Sequence, residues 1–183
     1  NADNVIEAAA TGAGDGMQLA LNVGAMLLAF IAGIALLNYL FLGLGDLLGV
    51  NAYLKAHFGM PLSLQLVFGV VLRYLAIGIG VPTADAFHFG SLLGTKVVLN
   101  EFVGYIDLVG LIKQGAMSAK GITMATYALC GFANFSSIAI QIGGIAPMAP
   151  HRKKDIAALG LKAVLGGSLA TLMTATLAGI LLG

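Results

Sequence analysis

Residues 94–105 read GTKVVLNEFVGY and place Lys96, Asn100 and Glu101 inside a run that is otherwise apolar. The flanks are AFHFGSLL at 86–93 and IDLVGLI at 106–112. Each arm leading to Asn100 and Glu101 is therefore shorter than the roughly 20 residues a helix needs to cross a bilayer. Two half-length helices meeting at a polar tip describe a re-entrant hairpin, predicted over 83–113. Non-helical backbone at such depth is tolerated only where protein or a water-filled cavity surrounds it. An acidic side chain at helix-centre depth costs roughly 2.5–3.5 kcal/mol on insertion scales. Either Glu101 faces water in an ordinary loop between short helices, or it lies buried at the hairpin tip and accepts hydrogen bonds from a polar ligand. The short arms favour the second reading.

Composition sets the class. Hydrophobic residues make up 59% and charged residues 9% of the 183, and mean hydropathy is +0.97. A soluble domain with these values would cover its surface in apolar patches. The reading is an all-α integral membrane protein. Formal net charge is +1, which offers no basic face for nucleic acid and no acidic tail. The single cysteine, Cys130, supplies neither an intrachain disulfide nor a thiolate cluster. The opening residues NADNVIEAAATGAGDG lack a basic start, an apolar core and a cleavage pattern. They read as the middle of a longer protein and not as a signal peptide.

Three stretches are long enough to span. Residues 17–45 carry no charge and are predicted as a transmembrane helix, behind a cytoplasmic helical lead-in at 1–16. Residues 153–183, beside the basic cluster His151, Arg152, Lys153 and Lys154, are predicted as the C-terminal transmembrane helix. Basic residues next to a span stay inside, which sends the C-terminus outward and brings the hairpin in from the outer face. Residues 121–150 are also uncharged, but their centre reads CGFANFSSIAIQIGG, where Gly131 and Asn134 interrupt the helix. A discontinuous transmembrane helix is predicted there. Broken helices expose donors at one half-helix N-terminus and acceptors at the other's C-terminus, and transporters use those ends to hold polar substrates and ions. Residues 62–80, with Gln65 and Arg73 on a largely apolar helix after Pro61, are predicted to lie in the interface.

Asn134 and Ser137, three apart, share a helix face. They are able to grip one ligand together or to hydrogen-bond between helices, a use common in membrane bundles and worth about 0.6 kcal/mol on average. Phe132 is shaped to stack on a flat ligand, although a lone Phe in a membrane helix more often faces lipid or core. Lys96 is placed either to snorkel to the interface or to pair with an acid; with Asn100 it is assigned to support of the hairpin. His88 and Asp107 have no evident partner and no metal-ligand spacing, so no metal site is expected. Gly90 and Gly94 form a small-xxx-small pair suited to close helix packing. No HExxH, GxSxG or Walker A pattern occurs, so neither an enzyme nor a cofactor is expected.

Taken together, these motifs resemble the C-terminal half of the bacterial concentrative nucleoside transporter family. The family signature, Gly-x-Lys-x-x-x-Asn-Glu-Phe-Val-Ala followed by an aromatic residue or Met, is met by Gly94, Lys96, Asn100, Glu101, Phe102, Val103 and Tyr105. Gly104 stands where the family usually has Ala. Residues 127–144 resemble the family's broken substrate-binding helix, and residues 4–30 resemble the approach to the helix before it. The resemblance implies one half of an inverted-repeat transporter. It implies cation-coupled symport, driven by sodium or protons, that takes up nucleosides such as uridine across the bacterial inner membrane, in a multi-pass protein that is usually a homotrimer. It further implies that Glu101 accepts from ribose hydroxyls, that Asn134 and Ser137 complete that grip, and that Phe132 packs near the base. No Gln-Thr-Glu hairpin tip occurs here. The coupling-ion site and the remaining base contacts are therefore expected in an N-terminal half of the same transporter, and the 183 residues alone are expected neither to bind nucleoside tightly nor to transport it. Competing readings are a transporter of a nucleobase or another polar solute, a channel with gradient-independent flux, and a structural membrane subunit. The last leaves Glu101 unexplained.

Overall fold

Asn4 opens the fold by accepting a hydrogen bond from the Glu7 amide at 2.9 Å. It caps α1, Val5–Leu47, a single helix of 43 residues. At 1.5 Å per residue this rod is roughly 65 Å long, so the lead-in and the first predicted span are one continuous helix. Glu7 and Asp15 do not interrupt it, because both are exposed on its surface. The computed structural model describes residues 4–145 and 150–183. Among the described residues the fold is all-helical, 82% helix with no strand.

The chain leaves α1 through Gly49, whose φ of 68° suits glycine, and enters α2, Asn51–Phe58. The second half of α1 and α2 meet at 110°. Asn51, only 4% exposed, builds this corner. Its Nδ2 donates to the Leu42 carbonyl at 2.9 Å and to Asp46 at 2.6 Å, while its Oδ1 accepts from the Leu62 amide at 2.9 Å. Gly45 leaves room for that amide, which any Cβ there would overlap.

Ser63 caps α3, Leu64–Gly78, by accepting from the Leu66 amide. The next helix, α4 (Ala86–Val98), lies against it. A Cβ at Gly90 would stand 2.9 Å from the Arg73 amide nitrogen and the Gly69 carbonyl, and one at Gly94 would overlap the Phe68 side chain. Both glycines of the small-xxx-small pair thus face α3 and set its distance of approach. Then follow α5 (Glu101–Lys113), α6 (Ala119–Leu129), α7 (Phe135–Ile145), a 3-10 turn at Pro150–Arg152, and α8 (Lys153–Leu181). Residues 146–149, which belong to the predicted 121–150 element, lie outside the described residues. Buried Asp85 accepts from the Ser118 amide and hydroxyl, tying the start of α6 to the start of α4.

The core lies where α3, α4, α5, α6 and α8 meet, around Phe89, Leu92, Leu108, Met124, Leu129 and Ala175. Apolar side chains also cover the outside. Leu161, Leu165, Leu169, Met173 and Leu177 form an exposed stripe along α8 at intervals of four, the reverse of the polar outer face of a helix in water. Among the described residues, Lys154–Leu181 is the one helix long and apolar enough to cross a membrane unaided.

Candidate functional site

Four half-helix ends converge at the two polar breaks. Helix α4 ends at Val98 and α5 begins at Glu101; α6 ends at Leu129 and α7 begins at Phe135. Each such end leaves backbone groups without helical partners, and at each of the four a side chain at the breaks meets one of them. At the N-termini the caps are asparagines. Asn100 Oδ1 accepts from the Val103 amide at 2.9 Å, and Asn134 Oδ1 accepts from the Ser137 amide at 2.7 Å. Ser137 closes back on the same turn, its hydroxyl donating to the Asn134 carbonyl at 2.7 Å and accepting from the Asn134 amide at 3.4 Å, in the manner of a capping box.

At the C-termini the caps are exchanged. Ser136, on α7, donates from Oγ to the Leu99 carbonyl at the end of α4, at 3.0 Å. Lys96, on α4, donates from Nζ to the Ala128 carbonyl at the end of α6, at 2.8 Å, and to Thr171 Oγ1 on α8, at 3.1 Å. Each broken element therefore closes the other's open end. A cation is the favourable partner for a helix C-terminus, where the macrodipole is negative.

Glu101 stands at the first turn of α5, beside the N-terminus of α7. Asn134 Nδ2 donates to its Oε2 at 2.9 Å. Two positive helix ends thus flank one carboxylate, with the Lys96 ammonium within electrostatic reach. Glu101 is half-buried and Asn134 is 0% exposed. Among the described residues none donates to the second oxygen of Glu101, which leaves that oxygen available to a ligand.

The structure brings Glu101 and Asn134 into contact and joins Ser137 to them through Asn134. Asn100 and Ser137 are caps, and the Ser137 hydroxyl is satisfied within its own turn. Lys96 is buried and does not snorkel, and among the described residues it forms no ion pair; it reaches across the breaks to a helix end. Phe132, in the α6–α7 break, leaves 48% of its surface exposed. His88 and Asp107 line a separate cleft of about 420 Å³ with Gln65, Ser91 and Gln114, and Asp107 accepts from Thr95 at 3.2 Å. Among the described residues no group of three side chains is placed to hold a metal ion. Ser136 and Thr171 were missed by the sequence reading. Ser136 carried a signal, a second serine beside a helix break, whereas Thr171 sits 75 residues from Lys96 in an ordinary apolar helix and carried none.

Residues 1–179 match the family described as Na+ dependent nucleoside transporter C-terminus. The chain belongs to this nucleoside transporter family. An uncharacterized transporter of Haemophilus influenzae is 48% identical to it, over 98% of this chain and 42% of the relative. Nucleoside permease NupC of Helicobacter pylori is 44% identical, with the same coverage on both sides. The solved structure of a point variant of CNTnw in an intermediate state matches with a TM-score of 0.85 and 47% identity, over 98% of this chain and 42% of that one. The chain spans less than half the length of these relatives and corresponds to their C-terminal part. Its fold is that of the nucleoside transporters it resembles, a family of membrane proteins.

Proposed function

We propose that this segment carries the ribose-binding half of the site in a cation-coupled nucleoside symporter. The observation that carries the proposal is the 2.9 Å contact of Asn134 Nδ2 with Glu101 Oε2 where two helix N-termini meet. A carboxylate with a free oxygen accepts hydroxyl hydrogens, and the second Asn134 N–H supplies a donor for a sugar oxygen. Vicinal ribose hydroxyls match that set. Ser137 acts through the Asn134 cap, and the exposed ring of Phe132 lies at the break to pack near the base. A site built to bind a hydroxyl rejects analogues that lack it, because its buried polar groups are then left unpaired.

In this reading α4 and α5 form the re-entrant hairpin, α6 and α7 the discontinuous span, and α3 an interfacial helix. The N-terminal half of the full-length protein supplies the remaining base contacts and the site for Na+ or H+. The exposed apolar residues of α1 meet lipid, that half or other copies in a homotrimer in the bacterial inner membrane. The test is radiolabelled uridine uptake into proteoliposomes holding the full-length protein, with sodium or proton gradients, for wild type and Glu101→Gln. Gradient-driven uptake that Glu101→Gln abolishes supports the proposal. Uptake unchanged by the substitution refutes the role of Glu101. Competition by free uracil as strong as by uridine shifts the substrate to a nucleobase.

A further inference from the structure

We infer that Ser136 is a positioning residue for sugar recognition, its hydroxyl fixing the orientation of the Asn134 amide and thereby the donors presented beside Glu101. This rests on the nucleoside reading above. The two ends of an Asn amide have nearly the same shape, so only their hydrogen-bond partners distinguish them. Asn134 Oδ1 receives two donors, the Ser137 amide at 2.7 Å and the Ser136 hydroxyl at 2.7 Å. That leaves Nδ2 to face Glu101, with one hydrogen on the carboxylate and one for a ligand. A flipped amide would set its NH2 group against the Ser137 N–H and its oxygen against a carboxylate.

Ser136 has one hydroxyl hydrogen and two acceptors within reach, Asn134 Oδ1 at 2.7 Å and the Leu99 carbonyl at 3.0 Å. A single proton therefore serves both the Asn134 amide beside Glu101 and the end of α4. Ser136 is 2% exposed, so bulk water does not replace the hydroxyl when it is removed. Ser136 acts on the sugar only through Asn134, and its loss weakens recognition of ribose hydroxyls while sparing contacts to the base.

The test compares wild type, Ser136→Ala and Ser136→Thr in the full-length transporter in proteoliposomes. It measures KM and Vmax for uridine and inhibition by 2′,3′-dideoxyuridine. Ser136→Ala is expected to raise the uridine KM about tenfold, the scale of one lost buried hydrogen bond, with Vmax held within about twofold. Inhibition by the dideoxy analogue stays as in wild type, so the preference for ribose falls by the same factor. Ser136→Thr keeps the hydroxyl and restores the preference. If the added methyl group prevents folding, Ser136→Cys, with a weak thiol donor, is expected to give an intermediate preference. An unchanged preference in Ser136→Ala, or equal weakening of both ligands, overturns the inference while the nucleoside reading stands. A wild-type protein that takes up no uridine overturns both.

Discussion

Replacing Lys96 with Met removes the ammonium that joins α4 to α6 and α8 while keeping most of the side chain's volume, so packing changes little. In the native structure this ammonium belongs to a side chain 1% exposed and donates to Ala128 O at 2.8 Å and Thr171 Oγ1 at 3.1 Å. Ala128 is itself 0% exposed, so its carbonyl at the end of α6 finds no water when the donor goes. Leaving a buried acceptor unsatisfied costs about 1–3 kcal/mol, and a hydrogen bond to a charged group contributes about 1.5–3 kcal/mol. Against this, Met no longer buries a charge, a saving of several kcal/mol that offsets much of the loss. The uncompensated carbonyl and the nearby Glu101 carboxylate tip the balance, and a net destabilisation of about 2 kcal/mol is expected. The assay is equilibrium unfolding of the full-length protein in mixed micelles, with exposed Lys113→Met as a control that stays within about 0.5 kcal/mol of wild type. Thr171→Val is expected to cost about 1 kcal/mol. Combined with Lys96→Met it should cost clearly less than the sum, because both changes act on one ammonium. A Lys96→Met protein as stable as wild type, with additive behaviour in the double variant, would refute the exchange of caps as a stabilising device.

Gly90→Ala puts a Cβ 2.9 Å from backbone atoms of Arg73 and Gly69, which do not rotate away. A loss of about 1–3 kcal/mol is expected, whereas Gly110→Ala, with open space around it, should be neutral or slightly stabilising; equal melting temperatures would contradict the close α3–α4 approach. Asn51→Ala removes the donor to Leu42 and the acceptor of the Leu62 amide. It should cost about 2 kcal/mol and speed proteolysis at the corner between α1 and α2, and native-like resistance would show that Asn51 does not hold the bend. Phe132→Ala, at a half-exposed site, should change stability by less than about 1 kcal/mol yet raise the uridine KM severalfold. An unaltered KM would remove the ring from the base site.

The amino-acid sequence by itself determined what is compositional and what is local. An apolar share of 59% is more than a chain of this length buries by itself, and it marks a protein of the membrane class. The two polar breaks were legible at Asn100 and Asn134, and the reason is local: each asparagine caps the helix that starts there by accepting from the amide three residues on, Val103 and Ser137. The length of α1 was less legible. Hydropathy marks a change at residue 17, but a helix ends where its hydrogen bonds and caps end, and its cap is Asn4. Only the tertiary structure decided the partners across the breaks. Glu101 and Asn134 are 33 residues apart, Leu99 and Ser136 are 37 apart, and Lys96 and Thr171 are 75 apart. No periodicity or motif specifies contacts at such separations. They follow from the crossing of α4, α6, α7 and α8, which brings the Leu99 and Ala128 carbonyls within reach of Ser136 and Lys96.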